Sequence, residues 1–126
     1  MTRATAQVLP TATEPLPVAE TRILEIGREI GRQFSPQEVI LFGSYARGDQ
    51  TADSDIDVLV VFRNAVDKAA EAIRIRRAIG RINTGVDIVV SSAQEMAEWQ
   101  DVPGTVFYYA RREGRPIYGH EPGSRA

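Results

Sequence analysis

The sequence contains no cysteine and a single histidine, His120, which lies in a Gly/Pro-rich tail. Disulfides, thiolate metal sites and thiol nucleophiles are therefore excluded, and we expect neither a histidine-based triad nor a histidine zinc site. A bound metal would have to be held by carboxylate oxygens, which prefer hard cations such as Mg²⁺.

Long apolar runs and an excess of positive charge are also missing. The longest continuous apolar run, residues 58–62, has the length of a strand and is far short of the roughly 20 residues that span a bilayer, so we expect no membrane association. Fifteen Lys and Arg against 17 Asp and Glu give a net charge of −2. This balance argues against dedicated nucleic-acid binding, because that activity needs a basic face to neutralise phosphates.

The length of 126 residues fits one domain. We expect a flexible tail over residues 1–15, a domain over residues 16–120 and a second flexible tail over residues 121–126. The first tail is rich in Thr, Ala and Pro and lacks the apolar region of a signal peptide, so a cytoplasmic location is expected.

Stretches with helical spacing of apolar residues alternate with short, continuous apolar runs. This pattern predicts an α/β (α+β) fold, in which helices pack on a small mixed sheet of three to four strands. We predict helices over residues 17–34, 67–82 and 105–113, a helix from the capping box at Ser92, a short helix after Gly43, strands over residues 39–42, 55–62 and 86–90, and an edge strand at 117–118.

The C-terminal helices carry a cluster of aromatic side chains. We expect Tyr109 to face the core, and Ile73 to do so on the helix over residues 67–82. Phe107 and Tyr108 cannot both point inward on one narrow stripe. Exposed aromatic surface there would favour a homodimer or a hetero-oligomer formed through the C-terminal helices.

Three carboxylates interrupt the apolar strands. Asp55 and Asp57 lie on one face of a strand, roughly 7 Å apart at Cα, because side chains alternate along a strand. Asp87 is the second residue of the next strand, so all three converge at one sheet edge if the strands are neighbours. Carboxylates this close repel one another unless a cation lies between them, and Mg²⁺ suits such a site. The alternative is that they are ordinary solvated turn residues.

Gly43 and Ser44 follow the first strand and open the short helix. This arrangement presents backbone N–H groups and a hydroxyl to an anion such as a phosphate, although any strand-to-helix turn can use these residue types. Arg47 on the same helix either contacts that phosphate or covers the loop, and both readings stay open.

Together these residues carry a family resemblance. Gly43 and Ser44, followed after ten residues by Asp55 and Asp57, reproduce the GS-x₁₀-D-x-D signature of the DNA polymerase β-like nucleotidyltransferase superfamily. Asp87 stands where that superfamily carries its third acid. The local sequence around these motifs most resembles that of the minimal nucleotidyltransferases. These are small proteins that are commonly paired, as antitoxins, with a HEPN-domain toxin.

The resemblance implies the superfamily's fold and a set of residue roles. Gly43 and Ser44 would bind a nucleoside triphosphate, Asp55 and Asp57 would bind Mg²⁺, with two ions at the site, and Asp87 would be a further ligand and the general base.

It also implies a function, transfer of AMP from ATP to a tyrosine of a partner HEPN ribonuclease toxin. Three alternatives remain: transfer to a small molecule such as an aminoglycoside or to an RNA end, neutralisation of a toxin by occlusion alone, and a structural module with incidental acids.

Overall fold

The computed structural model of the protein describes residues 20–80 and 85–119. The predicted tails, the start of the first predicted helix and the end of the helix over residues 67–82 lie outside these residues. In chain order the elements are α1 (Glu20–Phe34), β1 (Glu38–Phe42), α2 (Ser44–Arg47), β2 (Ile56–Phe62), α3 (Lys68–Ile79), β3 (Val86–Ser92), α4 (Ala93–Trp99), α5 (Val106–Glu113) and β4 (Arg115–Gly119).

The four strands form one mixed sheet in the order β3-β2-β1-β4. β1 pairs antiparallel with both β2 and β4, whereas β2 and β3 are parallel. A parallel pair needs a crossover connection, which α3 supplies. The predicted fold class is therefore confirmed, and the predicted edge strand is longer than expected.

Helices cover both faces of the sheet. On the first face, Ile23, Ile26 and Ile30 of α1 pack with the α3 side chains and with alternate strand residues. On the second face, Met96 of α4 and Ala110 of α5 pack on the intervening strand residues. This double cover explains why β1 and β2 are apolar at nearly every position.

The three later helices begin at side-chain caps. The side chain of Asp67 accepts a hydrogen bond from the backbone N–H of Ala70, and Ser92 and Thr105 do the same for α4 and α5. Each cap satisfies an N–H that the first helical turn leaves unpaired. The capping box predicted at Ser92 is confirmed.

Two expected core residues are exposed. Ile73 is 53% exposed and Tyr109 is 45% exposed, so both predictions were wrong. The buried positions on α3 are Ile75 and Ile79, one helical turn apart, and a residue two before Ile75 lies on the opposite side of the helix. On α5 the inward position is Ala110. In the described ranges no helix is long and apolar enough to cross a bilayer.

Candidate active site

Asp57 and Asp87 lie side by side on the parallel strands β2 and β3. The register of β2 and β3 pairs these two residues directly. Ile56 and Val58 pack on the α1/α3 face, so Asp57 between them projects to the α4/α5 face, and Asp87 projects to the same side. The condition on which the sequence argument depended, that the two strands are neighbours, is met.

Asp55 lies just before β2, which begins at Ile56 rather than at the predicted residue 55. The backbone N–H of Ile56 donates to the carbonyl of Gly85 at 2.9 Å, so the start of β2 is held to the start of β3. Gly85 in turn approaches the Asp55 carboxylate closely. Asp55 therefore reaches the same sheet edge from an exposed position outside the strand.

Gly43 forms the turn that leads from β1 into α2. Its φ of 77° lies in the left-handed region, which a side chain disfavours. Phe42 before it pairs with Asp57, and a Cβ atom at Gly43 would overlap Oδ2 of Asp57. Both the backbone conformation and the space at this turn therefore require glycine. Ser44 follows as the first residue of the single-turn helix α2, so it lies beside the same edge.

Arg47 is the last residue of α2 and lies between two acidic side chains. Its guanidinium contacts Oδ2 of Asp49 at 3.3 Å and Oε1 of Glu113 on α5 at 3.4 Å. Its positive charge also acts on Asp57. The predicted residue Arg47 is thus near the carboxylates, and its contact with a phosphate stays a prediction.

The carboxylate of Asp57 lies in an unfavourable electrostatic environment. Burial raises its pKa from the usual 3.8 to about 6, with the charge and hydrogen bond of Asp87 and then the charge of Asp55 adding to the rise. Arg47 lowers the pKa in part. The site therefore concentrates negative charge that one exposed arginine does not fully offset.

The donor set fits a hard divalent cation held in an open site. Within residues 20–80 and 85–119 no three acidic, histidine or cysteine side chains converge closely enough to enclose a metal ion. Asp57 and Asp87 form the close pair and Asp55 stands at the edge. Mg²⁺ suits such an arrangement, because it binds through one or two carboxylates and takes its other ligands from water and substrate phosphates.

Sequence reasoning missed two residues of this region. Gly85 has no functional group that would mark it, although its position just before the strand of Asp87 could have drawn attention to it. Glu113 gave no signal, because it reaches Arg47 from 66 residues away in sequence.

A separate groove of about 500 Å³ lies between α1 and α3. Its walls carry Arg22, Arg28 and Arg32 together with Glu25 and Glu29. This groove is on the helical layer of the first face and contains none of the predicted site residues, so it is not the site described above.

The fold and the carboxylate edge together define a nucleotidyltransferase. Residues 22–111 match the sequence profile of the family described as "Nucleotidyltransferase domain", and the chain belongs to this family. The prediction that the protein is an enzyme of this class is confirmed.

Two relatives indicate which kind of nucleotidyltransferase the chain resembles. The chain is 36% identical over 75 residues to MJ0141 of Methanocaldococcus jannaschii, a protein provisionally named a protein adenylyltransferase, and the match covers 55% of this chain and 75% of the relative. It is 46% identical over 35 residues to protein adenylyltransferase MntA of Thermococcus cleftensis, covering 28% of this chain and 35% of that protein. The predicted resemblance to the minimal nucleotidyltransferases is confirmed by these matches.

Solved structures agree on the fold. A Sulfolobus solfataricus structure, provisionally described as a nucleotidyltransferase, superposes with a TM-score of 0.55 at 26% identity, covering 79% of this chain and 78% of that one. A structure described as a toxin-antitoxin with AMP-PNP superposes with a TM-score of 0.52 at 22% identity. The superposition covers 83% of this chain and 77% of the matched chain. At that identity the second similarity shows the fold alone.

Proposed function

We propose that this protein is an antitoxin that transfers AMP from ATP to a tyrosine hydroxyl of a partner toxin, a HEPN-domain ribonuclease. The observation that carries the proposal is the direct pairing of Asp57 with Asp87 beside the Gly43 turn. Relatives named as protein adenylyltransferases, and a toxin-antitoxin structure of the same fold with AMP-PNP, support it. A cytoplasmic location is part of the proposal.

The residues divide into a phosphate side and a metal side. The backbone N–H groups at Gly43 and Ser44, with the Ser44 hydroxyl, bind the triphosphate. Asp55 and Asp57 would hold Mg²⁺, which would supply positive charge to the triphosphate and the leaving pyrophosphate. Arg47 adds a further positive charge next to this position.

Asp87 accepts the proton of the attacking hydroxyl. The tyrosine oxygen forms a bond to the α-phosphorus, the bond from that phosphorus to the β-phosphate oxygen breaks, and pyrophosphate leaves. Asp55 and Asp87 are both exposed, so a hydroxyl presented by another protein can approach them from solvent. Positioning and charge stabilisation do most of this work, and few side chains are needed.

Mass spectrometry of the partner tests the proposal. The chain is purified with the candidate HEPN protein and incubated with ATP and Mg²⁺, and we expect one or more AMP groups on a tyrosine of the partner. The double variant Asp55→Asn with Asp57→Asn should give no AMP. Asp53→Asn is the matched control, because Asp53 is an exposed acid of the same loop and should leave transfer intact.

A growth assay separates catalysis from occlusion. Cells that express the toxin should be protected by the wild-type chain and by Asp53→Asn, and not by the double variant. Protection by the double variant without AMP on the toxin would contradict the proposal and support occlusion. AMP found on an aminoglycoside rather than on the toxin would support the small-molecule alternative.

A further inference from the structure

Gly85 lies directly before β3 and against the side chain of Asp55. An ideal Cβ atom at Gly85 would lie 2.6 Å from Oδ1 of Asp55 and 3.2 Å from its Cγ. Cβ atoms in proteins essentially never lie within 3.0 Å of a heavy atom outside their own residue and its two chain neighbours. The Asp55 carboxylate therefore occupies the space that any side chain at position 85 would fill.

Space, and not backbone conformation, is what requires glycine here. The glycines with positive φ among the described residues are Gly43, Gly48, Gly80, Gly104 and Gly119. Gly85 is not one of them, so a left-handed backbone conformation does not account for the glycine at this position. The first of those glycines shows the same crowding against Asp57. Each carboxylate of the Asp-x-Asp pair thus lies against a glycine of a neighbouring segment, one after β1 and one before β3.

We propose that Gly85 is a positioning residue of the active site, because its lack of a side chain lets the Asp55 carboxylate lie against the start of β3, beside Asp57 and Asp87. The inference rests on the proposed function, since it takes Asp55 as a ligand of the metal ion that accompanies the nucleotide. It adds a residue that the Gly-Ser and Asp-x-Asp signature does not contain.

The position of Asp55 explains why a side chain at position 85 would displace its carboxylate. Asp55 precedes β2 and is exposed, so no strand pairing of its own fixes its side chain. The group that a methyl at position 85 would meet is the far end of that flexible side chain. The carboxylate can turn away into solvent at small cost to the fold. A substitution at Gly85 should therefore displace a ligand without unfolding the chain.

The variants Gly85→Ala and Gly104→Ala separate an effect on metal binding from an effect on stability. Binding of Mn²⁺ is followed by electron paramagnetic resonance, binding of AMP-PNP with Mg²⁺ by calorimetry, and stability by thermal unfolding in EDTA. We expect Gly85→Ala to weaken Mn²⁺ binding by at least about tenfold, as the loss of a residue that orients a metal ligand does. Its unfolding midpoint should stay or rise, because alanine restricts the unfolded chain.

Gly104→Ala is the matched control with the opposite profile. Gly104 has a φ of 91° and open space around it, so alanine there strains the backbone and contacts nothing. We expect a lower unfolding midpoint and unchanged Mn²⁺ affinity. In an Asp55→Ala background, Gly85→Ala should cause no further loss of Mn²⁺ affinity.

Three results would overturn the inference: unchanged Mn²⁺ affinity in Gly85→Ala, a loss that persists in the Asp55→Ala background, or a loss that accompanies a fall in the unfolding midpoint. Failure of the proposed function has a different signature. A wild-type chain that binds Mn²⁺ and nucleotide but transfers no AMP to the partner contradicts that function alone, and the result on Gly85 still stands. A wild-type chain that binds no Mn²⁺ overturns both.

Discussion

At the scale of single residues, Asp57 carries an electrostatic cost in the metal-free chain. Its pKa of about 6 lies above the 3.8 of a free aspartate, so the folded state holds the proton more tightly than the unfolded state does. The free energy of unfolding therefore falls as the pH rises through the window from about 4 to about 6, and the penalty is complete above it. Bound Mg²⁺ would relieve the same cost.

Asp57→Asn should therefore stabilise the metal-free protein at neutral pH. We expect a gain on the order of 1 kcal/mol at about pH 7.5, smaller than the full shift would give because Asp57 is partly exposed to screening water. The gain should shrink as the pH falls and be almost absent at about pH 3, where Asp57 is largely protonated in both states. Chemical denaturation in EDTA at the two pH values measures it. A gain that does not change with pH, or one that Asp53→Asn matches, would contradict this explanation.

The site residues differ in how far sequence could predict them. The Gly-Ser and Asp-x-Asp pattern has fixed local spacing, so Gly43, Ser44, Asp55 and Asp57 could be proposed without coordinates. Asp87 could be placed only on the condition that its strand is a neighbour. The crowding at Gly85 depends on contacts between segments that are remote in sequence, which spacing does not encode.

At the scale of elements, α1 packs closely on β4 through its glycines. A Cβ atom at Gly31 would overlap the ring of Tyr118, and one at Gly27 would lie 2.7 Å from Cγ1 of Ile117. Glycine inside a helix normally costs about 1 kcal/mol relative to alanine. The close approach of helix and strand explains why glycine is present at both positions.

Gly31→Ala should destabilise the protein despite the better helix propensity of alanine. We expect a net loss of about 1–3 kcal/mol, since the Tyr118 ring must move within a packed layer. Denaturant titration measures the change. The matched background is Tyr118→Ala, in which the ring is absent and Gly31→Ala should be neutral or stabilising. Equal losses in both backgrounds would refute the packing explanation.

A buried ion pair joins α5 to β1. Arg111 donates to Oε2 of Glu38 at 2.8 Å and to Oε1 of Gln100 at 3.0 Å. The Glu38 side chain is only 5% exposed, and its Oε1 has no hydrogen-bond partner among residues 20–80 and 85–119. Arg111 is therefore the main compensation for a carboxylate held inside the protein.

Arg111→Ala should cost about 3 kcal/mol of unfolding free energy, because it leaves the Glu38 charge buried and unpaired. Arg22→Ala is the control on the surface, where the pair with Glu25 is exposed, and should cost less than about 1 kcal/mol. Glu38→Gln combined with Arg111→Ala should recover part of the loss. Similar small costs for both single arginine variants would contradict the argument.

The two wrong predictions of core residues, on α3 and α5, have one cause. Caps such as Ser92 act within four residues, so helix starts were predictable. The orientation of a helix depends on what it packs against. The spacing of apolar and aromatic residues favours Ile73 and Tyr109 as core residues, whereas the contacts of α3 and α5 turn Ile75 and Ala110 inward instead.

At the scale of the whole molecule, interleaved helices and strands predicted a layered fold but not the order of its strands. The order β3-β2-β1-β4 follows from pairings between strands distant in sequence. That order places β2 in the interior between β1 and β3, so the turn after β1 and the starts of β2 and β3 meet at one edge. The candidate site is a consequence of this topology.

The central claim is that this edge binds a metal-bound nucleoside triphosphate. A crystal structure of the chain with Mg²⁺ and AMP-PNP tests it most directly. We predict the triphosphate at the Gly43 turn and a metal ion touching Asp55 and Asp57, with Asp87 beside them. A nucleotide bound instead in the groove between α1 and α3, or a triphosphate at the turn with no metal ion at the carboxylates, would contradict the account.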